Sequence, residues 1–193
     1  MSFLNKSKLY IIIFVYFLFG CQPIELTQEV VFDNSILNKF NIVAEEKIIN
    51  NLYEVKYDDK HIDHSLEIPP SVRLNNWLEE SFIIFGNENK FTINILDASI
   101  IKIERENTNK KKYEGKTEFF YEITFMMEYI LYNDDENILA TTKVQTKRST
   151  TSSIYISLNE KELIIDTMIL DALKDISNKS DELIKKHMAK FII

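Results

Sequence analysis

His61 and His64, set among Asp58, Asp59 and Asp63, come nearest of any residues in this chain to a metal-binding cluster. Imidazole nitrogens and carboxylate oxygens are suitable donors for zinc, but the His-x-x-His spacing alone fixes no geometry. No cysteine or third histidine lies close enough in sequence to complete a ligand set, since His187 is far away. The surrounding stretch, about residues 50–67, is polar and without a period. It reads as a solvated loop, and neither a metal nor another cofactor is expected. Lys110, Lys111 and Lys112, with Lys116 close by, are of a type to touch lipid headgroups or an acidic partner, and are read first as a hairpin tip in solvent. The Gly-x-Ser-x-Gly elbow, the His-Glu-x-x-His zinc motif, the Walker loop and the dinucleotide fingerprint are all absent. With only 3 glycines in the chain, a loop that cradles phosphate has little to be built from. No catalytic residue is therefore nominated, and the chain is expected not to be an enzyme. Cys21 remains: as the only cysteine it can form no internal disulfide, so its chemistry would be modification.

The context of Cys21 says which modification. Lys6 and Lys8 give the first residues positive charge, and residues 9–20 then form an uncharged apolar run of 12. As a helix that run would reach about 18 Å, well short of the roughly 30 Å of a hydrocarbon core. It fits the apolar part of a secretion signal. Leu18-Phe19-Gly20-Cys21 resembles the bacterial lipobox, with Phe19 where a small residue is usual. That resemblance implies a diacylglyceryl group on Cys21, cleavage of residues 1–20, and acylation of the new amine, commonly with palmitate. Gln22 in place of Asp points, by the sorting rule of that family, to the outer membrane. The expected location is the periplasmic side of the cell envelope.

The net charge of −7 argues against nucleic acid as the main partner. Behind the signal, residues 21–38 have no clear period and read as a lipidated tether, leaving 39–193 as a single domain. A first strand is expected near Phe40 to Ile49. Pro69-Pro70 closes the polar loop, and Ser71 is placed to cap a helix carrying Leu74, Trp77, Leu78 and Phe82 on one side, with Gly86 as its stop. From Phe91 the period changes to two, slipping near Asp97-Ala98 as a β-bulge would make it slip. The clearest strand places Phe119, Tyr121, Ile123, Phe125, Met127, Tyr129 and Leu131 on one face, opposite Glu118, Glu122, Thr124 and Glu128. A turn at Asn133 to Asn137 leads to a strand over Ile138 to Arg148, whose Lys143, Lys147 and Arg148 suit ion pairs with those glutamates. Ser149 to Ser153 reads as a separator. Ser157 and Glu160 have capping-box spacing, opening a helix towards Lys190 with Ile165, Ile169, Ala172, Ile176 and Leu183 inward and a looser point at Ser177-Asn178. The fold class is α+β: a two-layer sandwich of about four mostly antiparallel strands, in the order β-α-β-β-β-α, with two helices on one face.

Arg73-Leu74-Asn75-Asn76-Trp77, Asp97-Ala98-Ser99-Ile100-Ile101, Thr146-Lys147-Arg148-Ser149, Leu158-Asn159-Glu160-Lys161-Glu162 and Ile184-Lys185-Lys186-His187-Met188-Ala189 together resemble a family of uncharacterised proteobacterial lipoproteins. The resemblance spans most of the chain after Asn41 and carries no assigned activity. At the level of fold the chain also looks like the auxiliary lipoproteins of ABC-type transport and the lipopolysaccharide-assembly lipoprotein that plugs an outer-membrane barrel. These likenesses imply a non-enzymatic accessory or assembly subunit with an envelope protein as partner. The alternative is a carrier holding a lipid or small apolar ligand between sheet and helices.

Overall fold

The computed structural model describes residues 30–108 and 116–193; the signal, Cys21 and the Lys110 to Lys112 run lie outside them. Six strands and two long helices form the described residues: β1 (Phe40–Ile42), β2 (Glu46–Asn51), α1 (Pro70–Ser81), β3 (Phe82–Ile84), β4 (Lys90–Glu106), β5 (Thr117–Tyr132), β6 (Ile138–Ser153) and α2 (Leu158–His187). The main sheet has the order β2-β4-β5-β6, antiparallel except for the β2–β4 pair. This is the expected α+β sandwich, with helices on one face of a four-stranded, mostly antiparallel sheet.

Strand β5 holds the centre because every second side chain is apolar. Tyr121, Ile123, Phe125, Met127 and Tyr129 are fully buried on the helix side, and Phe91, Ile93 and Ile95 of β4 meet them there. The register slips between Ile95 and Asp97, where the Asp97 carboxylate accepts the Ser99 N–H at 2.9 Å. Without that bulge, Ala98 and Ile100 would turn to the opposite face. Helix α2 begins with a capping box: the Glu160 N–H donates to Ser157 Oγ, and the Ser157 N–H donates to Glu160 at 2.8 Å. The buried Tyr129 hydroxyl and Ser180 Oγ share a hydrogen bond of 2.8 Å that pins α2 to β5. Burial raises the Tyr129 pKa, outweighing the Ser180 hydrogen bond, which lowers it, so this phenol stays protonated.

Several expectations are corrected in detail. The first strand divides in two, because β1 pairs in parallel with β3 in a small separate sheet while β2 joins the main one. Phe82 leaves the helix and starts β3; α1 ends at Ser81, capped from outside by Lys47, whose ammonium donates to Glu79 O at 2.9 Å and Phe82 O at 3.1 Å. Pro69 occupies the N-cap position and Pro70 the first turn, so Ser71 lies inside the helix. Gly86 comes after β3 instead of ending the helix. Its φ of +151° and the Ala44 backbone, 3.3 Å from where a Cβ would stand, explain the glycine. Strand β6 continues through Ser149 to Ser153, held by β5 residues Glu118 to Glu122 opposite. Ile138 is exposed, because the register shifts between Leu131 and Tyr132. Helix α2 runs unbroken through Ser177-Asn178: buried Ser177 Oγ accepts the Asn38 N–H at 2.9 Å. Further along, Ile184 is fully buried and Leu183 only partly. The tether is packed onto the domain from Phe32, and Leu37 is buried.

Candidate functional site

Helices cover one face of the main sheet. The other carries a polar ladder across all four strands: Asn50 Nδ2 donates to Asn94 Oδ1 at 3.0 Å, Asn94 Nδ2 to Glu128 at 3.4 Å, and Glu128 stands 4.0 Å from Lys143 Nζ. At the end of this face nearest the β5–β6 turn lies an open groove of about 940 Å³. Ile48, Asn50, Thr92 and Tyr132 form its mixed, largely polar floor, and Glu45, Glu46, Lys90, Asp134 and Glu136 surround that floor with charge. Three loops are tied together to shape it. The Glu45 N–H donates to Glu88 O and Asn89 O at 3.0 and 2.9 Å, and the Asn89 N–H donates to Asp134 Oδ1 at 3.1 Å. Asn89 and Glu136 both adopt positive φ, 70° and 61°, which for a glutamate costs roughly 1–2 kcal/mol. The groove residues come from separate stretches and form no local motif. The one signal in the sequence was the turn at Asn133 to Asn137.

The residues nominated from sequence are brought close but not into a ligand set. Among the described residues no group of three or more His, Cys, Asp or Glu side chains is arranged to hold a metal ion. Instead they fasten a loop to the sheet edge. His61 bridges to Ile101 of β4, and its Nδ1 lies 2.7 Å from Asp58 Oδ1, which also accepts the His61 and Lys60 N–H groups. The His64 ring lies against Tyr57, and buried Asp63 accepts the Tyr53 hydroxyl at 3.0 Å. Burial and the Asp63 bond raise the Tyr53 pKa.

The hydrogen bonds from His61 hold the Asp58 carboxyl down at about 2. A carboxyl whose pKa is depressed on folding stabilises the fold above its unfolded value of about 3.9, and that contribution is lost as pH falls through the folded value. The loop is therefore expected to keep this contact from neutral pH down to about pH 2. An NMR titration of the Asp58 carboxyl carbon checks this. His61→Ala should move its midpoint up towards that of an ordinary aspartate; an unchanged midpoint would show that the His61 side chain is not the cause.

Two of the three basic residues of β6 pair with the glutamates of β5 as expected, and Arg148 is corrected. Lys147 pairs with Glu122 at 2.9 Å and Lys143 with Glu128, both on the uncovered face. Arg148 points the other way and forks onto Asp175 of α2, at 2.7 and 3.1 Å. At the opposite end from the groove, a smaller cavity of about 160 Å³ lies between the first turns of α1 and α2. Arg73 lies in it, stacked 3.4 Å over the Phe32 ring and 3.3 Å from Asp166. Burial lowers the pKa of Arg73 and raises that of Asp166, so for each group desolvation outweighs the partner's charge.

No helix among the described residues is long and apolar enough to cross a membrane. No protein-family model matches the chain, and no curated protein matches it. Among solved structures it is similar to a protein described as a neuraminyllactose-binding hemagglutinin homologue from Helicobacter pylori, at 11% identity and a TM-score of 0.41, over 84% of this chain and 96% of the other. A minor lipoprotein from Acinetobacter baumannii overlaps at 11% identity and a TM-score of 0.36, covering 78% and 96% of the two chains. The rare lipoprotein B from Shewanella oneidensis overlaps at 13% identity and 0.38, covering 74% and 100%. Overlaps this loose transfer no role.

Proposed function

We propose that the chain is a lipoprotein of the bacterial cell envelope, held through Cys21 on the periplasmic side, in the outer membrane, and acting there as a non-enzymatic accessory or assembly subunit. The observation that carries the reading is the sheet covered on one face only, with a preformed groove at one end of the other. Two non-glycine residues hold positive φ at its rim, so the shape is maintained at a cost. Backbone and side-chain hydrogen-bonding groups beside Ile48 and Tyr132, within a charged border, suit a polar contact with another polypeptide. The carrier alternative draws no support from the layer between sheet and helices, which Trp77, Tyr121, Tyr129, Phe82 and Phe91 fill.

A photo-crosslinking side chain placed in living cells at Glu46 or Tyr132, both lining the groove, tests the reading. The same envelope protein should be captured from both positions and not from Glu182 on the exposed side of α2. Capture from Glu182 alone, or from none of the three, would overturn it.

A further inference from the structure

The two edges of the main sheet are finished differently. Strand β6 is guarded: Lys143 and Lys147 stand exposed along it, and Lys179 of α2 donates to Gln145 O at 2.8 Å, occupying one of its backbone acceptors. Lysines along an edge are a common means of refusing a further strand. Strand β2 is bonded to β4 on one side and meets no strand on the other among the described residues. Its one lysine, Lys47, is drawn away to the end of α1, and Glu46 is engaged by Lys90 at 3.8 Å. Ile48, Ile49, Asn50 and Asn51 follow without charge. A strand left bare in this way offers backbone donors and acceptors to an extended chain.

This edge borders the groove, since Glu46, Ile48 and Asn50 of β2 line it. Four carboxylates meet a single ammonium there, and that ammonium, Lys90, is the one Glu46 engages. Glu45, Asp134 and Glu136 have no ion-pair partner among the described residues. Thr92 in the same groove is 7% exposed, and its hydroxyl has no hydrogen-bond partner among the described residues. Burial has largely cut that hydroxyl off from water, so a group filling the groove is what would satisfy it. We propose that groove and edge together take an extended, lysine- or arginine-bearing segment of the partner polypeptide, its backbone paired with β2 and its cations on Glu45, Asp134 and Glu136. This deepens the reading of the groove given above and rests on it. Backbone pairing is indifferent to side chains, so the carboxylates choose the segment.

Two capped octapeptides, one alternating threonine with lysine and the other threonine with glutamate, are titrated into the full lipid-bearing protein in a non-ionic detergent. The lysine peptide should bind at least about 10-fold more tightly in low salt, and the preference should shrink to about 2-fold in high salt. With it bound, hydrogen exchange should slow by about 10-fold or more within β2 and stay unchanged along β6. Glu45→Gln combined with Glu136→Gln, both at exposed side chains, should weaken the lysine peptide by about 10-fold and leave the urea midpoint where it was. No binding of the lysine peptide, equal binding of the two, binding without protection of β2, or undiminished affinity in the double variant would each overturn the proposal alone. The groove reading would survive any of these, because capture from Glu46 and Tyr132 in cells does not involve the peptides. Failure of that capture would overturn the groove reading, and this proposal with it.

Discussion

Phe82→Ala is expected to lower the unfolding free energy by about 4 kcal/mol. Phe82 is 2% exposed and stacks on Phe40 at 4.4 Å, Tyr129 at 5.4 Å and Phe91 at 5.7 Å, with the Trp77 edge 6.0 Å away. Those four rings belong to β1, β5, β4 and α1, so one side chain joins the small sheet, the main sheet and a helix. Removing it forfeits the transfer energy of a phenyl ring and leaves a space that four large, rigid neighbours cannot close. Each aromatic pair adds about 0.5–1.5 kcal/mol beyond area burial. For a domain of this size, stable by roughly 5–15 kcal/mol, the loss is a large fraction of the whole. Urea unfolding followed by the fluorescence of Trp77, the only tryptophan, measures it directly. Ile83→Ala, next in the chain but exposed, should change stability by less than about 0.5 kcal/mol. Equal effects at the two positions would show that the ring cluster is not the joint it is described as.

That joint also shows what the sequence could and could not reveal. The long strands were readable because alternation over many residues leaves one placement that buries the apolar set, as in Phe119 to Leu131. The bulge at Asp97 was readable as a slip in that same alternation, and the α2 start as a pair of reciprocal hydrogen bonds three residues apart. Phe82 was misread for a physical reason: it stands four residues after Leu78, where a helix would also bury it. A three-residue strand such as β3 is too short to display a period of two. Its partners in β1 are 42 positions away, so the pairing leaves no local trace. Ser149 to Ser153 carry turn-forming residue types, yet β5 presents a full row of partners and draws them into β6. The groove was invisible for the same kind of reason. It consists of ordinary turn and strand residues, and acquires its form only when Asn89 and Asp134, 45 positions apart, meet through one hydrogen bond.

Cys21→Ser should abolish lipid attachment while leaving the fold intact. Metabolic labelling with palmitate should fall to background, and the intact mass should show an unmodified chain with residues 1–20 retained. Two acyl chains of roughly 15 methylenes, at about 0.8 kcal/mol per methylene, represent about 24 kcal/mol of gross burial, while a single chain binds only marginally. Nothing short of the whole modification therefore substitutes for it, and the 12-residue apolar run left behind is too short to span the bilayer. The domain should not notice, because among the described residues no contact depends on the anchor. Its urea midpoint in the Cys21→Ser protein should match that of the native one. The consequence for partner capture is separate. An anchor shared with a membrane partner raises the local concentration of the groove and can increase apparent affinity by about 10²–10⁴ without adding a contact. Crosslinking from Tyr132 should then drop by at least about 10²-fold in the unlipidated protein and recover when the partner is supplied in large excess. Undiminished crosslinking would mean that the groove binds its partner without help from the membrane, and persistent palmitate label would mean that Cys21 is not the site of attachment.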